Sequence, residues 1–559
     1  MDRKVVLAIV LMMVVAIVPS MFLRKNRPAG RPPVGQAGGA AARQDTIVRV
    51  DTVPVAPLPP TSPPATPSAL EDTVVVSSPH YRLGFSTRGG RLIEATFLDY
   101  RSMKRSDSNA PAQILHPASN LLGLGLLLGR DTLWLRDWDF APSSLALEVT
   151  APRDLTFRAT RGSVDVSVTY TFRPTDYLFD VRGQVRGLGE QGATLLVGLG
   201  PGLRNTESDS VEHQRELGVV VKSAKAELTR FSKLKPALPI SLNGPFEWVA
   251  VKSKYFVAAI LAPDSSASGL NGGISGATAV STDPLNKSPL TASVDAGIRL
   301  NPAGDVRYQV YAGPMEYERL RAIGHDFDDV NPYGWAWMRP IIRPVAVGAR
   351  WLLVWMHDRL GFAYGVGLIA FGILIRILLW PLNQKAMRSS MAMQAVQPLM
   401  KELQEKHKQD PQRLQQEMFK LYKEHNVNPL GGCWPMLLPW PILFALFFVF
   451  QNTIELRGAT FLWIPDLSRP DPIYVIPILM GASMYVLTKM GQLGMEANPQ
   501  MKVMLYMMPA MMTFLFLNFA SGLNLYYTVM NVASLPQQWM LAKERMRRNP
   551  PAPGQKKKA

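Results

Sequence analysis

The sequence predicts a multi-span α-helical membrane protein that also carries a large all-β domain. Three observations predict it. Apolar runs sit at the extreme N-terminus and again after residue 360. The region between them is polar and shows period-two alternation. Basic residues collect beside the apolar runs, as cytoplasmic flanks do. The chain has 559 residues, enough for several domains, and a formal net charge of +17. The charge is not gathered on one soluble module, so no nucleic-acid substrate is expected. A single cysteine, Cys433, excludes an intrachain disulfide.

Val5–Val18 is an apolar run behind Arg3 and Lys4. Residues 1–23 read as an uncleaved transmembrane signal anchor, because no small-x-small site follows the run. Arg24, Lys25, Arg27 and Arg31 locally oppose an inside N-terminus. The later loops orient the chain more strongly. Residues 24–71 are rich in Pro, Gly and Ala and read as a linker that buries little.

Residues 72–326 carry the strand signals. Val164, Val166, Val168, Tyr170 and Phe172 alternate with polar residues, and Val306–Tyr311 repeats the pattern. Leu178, Phe179 and Val181 follow it less cleanly. A large antiparallel β-sandwich is expected, closed by a short helix over Met315–Ile323. Residues 333–360 mix Trp335, Trp337, Trp351 and Trp355 with Arg339, Arg343, Arg350 and Arg359. That mixture predicts an interfacial amphipathic helix on the bilayer surface. Linker and surface helix are then the domain's connections to the membrane part.

Residues 361–382 (GFAYGVGLIAFGILIRILLWPL) are long enough to span ~30 Å of hydrocarbon. They contain Arg376, whose charge costs at least ~2.5–3.5 kcal/mol in a bilayer. The arginine either snorkels from near Pro381 or faces a wet cavity. Residues 383–431 hold eight Lys/Arg and two apolar stripes, and read as a cytoplasmic helical hairpin. Residues 432–541 contain four further spans: 432–451, 473–488, 502–519 and 522–541. Residues 542–559 form a basic cytoplasmic tail. The count is six transmembrane helices, both termini inside and the β domain outside.

No phosphate-binding loop, His-Glu-x-x-His, cysteine pair or Gly-x-Ser-x-Gly is present. No catalytic residue, cofactor or metal site is expected, and the protein does not read as an enzyme. The spans do hold polar groups: Arg376, Thr513, Asn524, Tyr526, Tyr527 and Asn531. Asn524, Tyr527 and Asn531 are spaced to share a helix face, and that face set against Arg376 makes a hydrated groove. Gln537 and Gln538 read equally well as interface anchors. The Met-rich fifth span suits varied apolar partners or ordinary packing. An alternative is a transporter or channel for a small anion, with Arg376 as its charge. A carbohydrate enzyme on an anchor is a third class, and it leaves five spans unexplained.

Five stretches share one resemblance: RILLWPLNQKAM, NPLGGCWPMLLPWPILFAL, FLWIPDLSRPDPIYVIPILMG, MMPAMMTF and SGLNLYYTVMN followed by QQ. In order and spacing they resemble the YidC membrane protein insertases, in the Gram-negative type with a large periplasmic domain. The resemblance implies a five-helix insertase core and a periplasmic all-β supersandwich. It implies a chaperone that inserts and folds inner-membrane proteins, alone or with the Sec translocon. Clients would enter a hydrophilic groove open to cytoplasm and lipid, with Arg376 as its charge and Tyr526 and Tyr527 on the client path. Implied partners are nascent membrane proteins, Sec components, lipid, and ribosome or signal-recognition machinery at the hairpin and basic tail. The implied location is the bacterial inner membrane. Two positions depart from the pattern: Pro439 stands where many members have Gln, and Ala520 where they have Pro.

Overall fold

The computed structural model describes residues 72–548 except 108–109, 117, 189–191, 236–237, 264–272, 284–290, 336, 385–395, 409, 426–439 and 494–498. The predicted anchor (1–23), the linker (24–71), the end of the tail (549–559) and Pro439 lie outside these residues.

The β region forms three sheets of nine, six and five strands around one contiguous apolar core. In the nine-stranded sheet, Val164–Phe172 pairs antiparallel with Arg153–Arg161 and with Leu178–Arg186. Val166, Val168, Tyr170 and Phe172 are buried and the residues between them are not, as the alternation predicts. Asp305–Pro314 lies between Leu178–Arg186 and Phe256–Leu261. Phe256–Leu261 and Trp248–Lys252 are buried at every position. Both faces of these strands are covered, so they read as continuous apolar runs. The expected sandwich is present.

Two short helices decorate it. Helix α1 (Ser210–Glu216) starts at Asp209, whose carboxylate accepts from the amides of Val211 and Glu212. Helix α2 (Tyr317–Ile323) is the predicted closing helix. Helix α3 (Arg339–Leu360) follows. Gly361 ends it with φ +67°, a left-handed position that suits glycine. Next come α4 (Tyr364–Leu378), α5 (Gln397–Lys406), α6 (Pro411–Glu424), α7 (Trp440–Asn452), α8 (Val475–Gly491), α9 (Pro499–Phe516) and α10 (Ser521–Arg548).

Among the described residues, no helix is long and apolar enough to cross a membrane. The two most apolar, α4 and α7, have 15 and 13 residues. At ~1.5 Å per residue they reach roughly 20 Å, short of ~30 Å of hydrocarbon. A turn at Leu379 interrupts α4 before helical backbone resumes at 380–384, where Pro381 has no amide to donate. The segment before α7 lies outside the described residues. The expected count of six spans is therefore not shown by the helix lengths.

Helix α3 buries Ile342, Ala346, Ala349, Arg350, Leu353 and Met356, and of these Ile342, Ala346, Ala349 and Leu353 join the helical core. Its arginines turn toward carboxylates. Arg339 reaches Asp329 at 2.9 Å, Arg343 reaches Asp328 at 2.5 Å, and Arg350 contacts Glu318 and Glu455. Burial pushes Asp328 above the usual carboxylate range, against the pull of Arg343. Trp337, Ile341, Trp351 and Trp355 remain exposed.

The β domain also meets the helical part beyond linker and surface helix. The segment between α7 and α8 lies against it. Ile454 joins the β-domain core, while Tyr317 and Tyr333 join the helical core. The Tyr333 and Thr453 hydroxyls lie 3.0 Å apart, and Asn331 donates to the carbonyl of Asn452.

Candidate functional site

Two helices build the site. The face of α4 that meets α10 carries Gly372, where an added Cβ would sit 3.0 Å from Val529. Glycine there lets the backbones approach. Arg376 follows four residues later, on the same face. Its guanidinium donates to the Oε1 of Gln537, and Gln537 donates in turn to the carbonyl of Trp380 at 3.3 Å. Arg376 is half-buried, and its buried Nε has no acceptor among the described residues. Among the described residues, no carboxylate lies within ion-pair distance of it.

A cavity of about 210 Å³ opens beside this pair. Arg376, Asn383, Tyr526, Tyr527, Asn531, Ser534, Gln537 and Gln538 line it, with Leu487, Met530 and Leu541 as its apolar part. Asn531 donates to Ser483 at 3.0 Å, which ties α10 to α8. Tyr526 packs on Phe371 of α4, with ring centroids 5.8 Å apart. Tyr527 packs on Phe516 of α9 at 5.5 Å. The Oε1 of Gln538 is buried and has no donor. The cavity thus combines one cation, several neutral donors and acceptors, and aromatic walls.

Four of the six expected residues meet here: Arg376, Tyr526, Tyr527 and Asn531. Two do not. Thr513 donates to the carbonyl of Pro509 in its own helix and faces Gly481 of α8. Asn524 is fully buried, and its amide donates to the carbonyls of Phe516 and Phe519 at the end of α9. It braces the turn into α10 rather than wetting the cavity. Sequence reasoning gave Gln537 and Gln538 only an even chance and missed Asn383 and Ser534. The signal was available: Tyr527, Asn531, Ser534 and Gln538 follow at four, three and four residues, one continuous face of α10.

The molecule thus joins a β domain to a helical part with an arginine-bearing polar cavity. Comparison with known proteins narrows this. Residues 73–345 match the family model described as YidC periplasmic domain. Residues 355–549 match the one described as 60Kd inner membrane protein. The "Membrane protein insertase YidC" of Syntrophus aciditrophicus (strain SB) is 31% identical over 575 residues, covering 97% of this chain and 100% of the relative. That of Chlorobaculum tepidum is 30% identical, covering 96% and 94%. The chain belongs to the YidC family, as an inner-membrane protein with a periplasmic β domain. The solved structure "Active YidC insertase crystal structure with the first transmembrane domain resolved" covers 84% of this chain and 95% of its own. Its identity is 17% and its TM-score 0.34. The small-anion transporter or channel finds no support in these matches.

Proposed function

We propose that this chain is a membrane protein insertase and chaperone whose client-binding groove is the cavity between α4 and α10. The observation that carries this reading is Arg376, a half-buried guanidinium in a polar cavity whose hydrogen-bond acceptor is an amide, not a carboxylate. Moving a polar client tail through ~30 Å of hydrocarbon is prohibitive, since each unpaired backbone group costs several kcal/mol. A wet cavity partway across shortens that path. The charge pairs briefly with acidic residues of the tail, at ~0–1 kcal/mol for a hydrated ion pair. Release follows, and the client's apolar span moves sideways into lipid, which drives the step.

The same reading takes the chain as six spans, with α3 along the outer surface of the inner membrane through its exposed tryptophans. It places the α5–α6 hairpin and the basic tail in the cytoplasm, where they meet nascent chains, ribosome or signal-recognition machinery. Sec components are partners at the membrane.

The test is insertion of matched clients with acidic and neutralised tails by Arg376 variants at equal abundance. Arg376→Lys keeps most activity, because a transient contact needs charge rather than a bidentate fork. Arg376→Ala lowers insertion of acidic tails several-fold, and Arg376→Glu lowers it further by repulsion. Neutral tails suffer less. Equal insertion of both tails by Arg376→Ala would falsify the electrostatic role.

A further inference from the structure

A second guanidinium of the helical part also meets neutral acceptors. Arg545, near the end of α10, is 8% exposed. Its Nη1 donates to the carbonyl of Gly491 at 2.7 Å and to that of Leu493 at 3.1 Å. Its buried Nε has no acceptor among the described residues. No carboxylate among the described residues lies within ion-pair distance of it. Its neighbours Lys543 and Arg547 are exposed, and Lys543 lies over the ring of Trp539, 5.1 Å from the centroid. A buried cation without an anion is costly, and peptide carbonyls offset only part of that cost.

Helical spacing sets Arg545 beside the cavity. Gln538 and Leu541 line the cavity and precede Arg545 by seven and four residues, so the three share one face of α10. The end of α8 lies against this face. Arg545 holds its carbonyls, and the Oε1 of Gln538 would stand 3.6 Å from a Cβ added to Gly491. The row along α10 therefore runs from the contact of Gln537 with Arg376, past Leu541, to a second cation. Gln537 and Arg545 are eight residues apart, or about 12 Å at ~1.5 Å per residue. A carboxylate gives either cation a Coulombic attraction that an amide or a peptide carbonyl lacks.

We infer that Arg545 is a second client-binding cation, and that with Arg376 it selects tails whose acidic residues stand four positions apart. An extended chain advances ~3.3 Å per residue, so four residues cover about 13 Å, and side chains four apart point to the same side. The tail's carboxylate displaces the carbonyls of Gly491 and Leu493 from Arg545, and a second carboxylate reaches Arg376. This rests on the insertase reading above. It adds to that reading a rule of spacing, which one cation cannot impose.

The experiment uses the full chain in proteoliposomes, with Arg545→Gln, Arg545→Lys and Arg376→Gln at equal abundance. Client tails of one length carry no aspartate, two adjacent aspartates, or two aspartates four positions apart. The unaltered protein should insert the spaced pair about threefold faster than the adjacent pair. Arg545→Gln should erase that preference and lower insertion of the spaced pair about three- to fivefold, with a smaller fall for the uncharged tail. Arg376→Gln should erase the preference as well. Arg545→Lys should keep most of it, because a transient contact needs charge rather than a fork. Calorimetric titration of the tail peptides alone into the detergent-solubilised protein gives a second readout. The spaced peptide should bind several-fold more tightly than the adjacent one, and Arg545→Gln should remove the difference. An equal fall for all tails in Arg545→Gln makes Arg545 a brace for the end of α8 and overturns the proposal. A spacing preference that survives Arg545→Gln, or none in the unaltered protein, overturns it too. If the unaltered protein inserts no client, the insertase reading fails, and the titration still decides whether the two arginines bind paired carboxylates.

Discussion

In the β domain, Lys252 buries its ammonium 3.4 Å from Glu216, and Lys254 lies 2.9 Å from Glu212. In the helical part, Arg376 faces the amide of Gln537. The helical part also pairs one buried cation, Arg350, with Glu318 and Glu455, whereas Arg376 meets no carboxylate among the described residues. A paired charge is spent on structure, because removing one partner leaves the other uncompensated. A charge facing an amide keeps its affinity for a carboxylate.

The largest effect that sharpens this contrast lies in the β-domain core. Trp248 is fully buried, donates to the carbonyl of His325 at 3.0 Å and packs edge-on against Phe327. Trp248→Ala should cost about 3–5 kcal/mol. Denaturant unfolding of the full chain in detergent measures it, and a loss under ~1 kcal/mol would show that the core is not tightly packed.

Acid should separate the regions next. Burial drives His213 in the β domain down to about 4. Its native value is below its unfolded value, so the unfolded chain takes up the proton first as pH falls. The stability from neutral His213 is full above about pH 6.5 and is lost on the way down to pH 4. By pH 5 the loss is about 2 kcal/mol. His213→Gln should shrink the difference in melting temperature between pH 7 and pH 5; an unchanged difference assigns the acid sensitivity elsewhere.

A smaller effect tests the cavity directly. Gln537→Glu gives Arg376 a permanent anion and makes it resemble the β-domain pairs. Insertion of acidic tails should fall about fivefold, the equivalent of ~1 kcal/mol, while neutral tails change little. Equal inhibition of both tails would mean that the substitution blocks the cavity rather than its charge.

The smallest effect is expected in the hairpin. In α5 and α6, the buried apolar cluster is Val396 and Leu421, with Met400 and Leu403 against it. Amide exchange over Gln397–Glu424 should be far faster than over Val475–Gly491, with opening free energies near zero. Protection equal to that of α8 would show that the hairpin packs as firmly as the rest.

The two regions also differed in how much their residues disclosed. Period two identified Val164–Phe172 and Val306–Tyr311, because burial over most of these residues is decided by the pleat. Tyr526, Tyr527 and Asn531 stand out as polar residues in an apolar stretch, and all three line the cavity. Asn524 stands out equally and does not line it, since nothing local says that its amide donates to the end of α9. The ion pair of Arg457 with Glu207 was invisible, because the partner lies 250 residues earlier and an ion pair leaves no period in a sequence. The pairing of Arg339 with Asp329 and of Arg343 with Asp328 was equally silent.

Ile454 completes the β-domain core from a loop that is synthesised long after it. The last strand ends at Pro314, so Ile454 follows about 140 residues later. At ~5–20 residues per second, roughly 7–30 s separate the two. Throughout that interval the β domain has every strand but not its whole core: the last apolar piece comes from the segment between α7 and α8, so the core closes only after most of the helical part has been made.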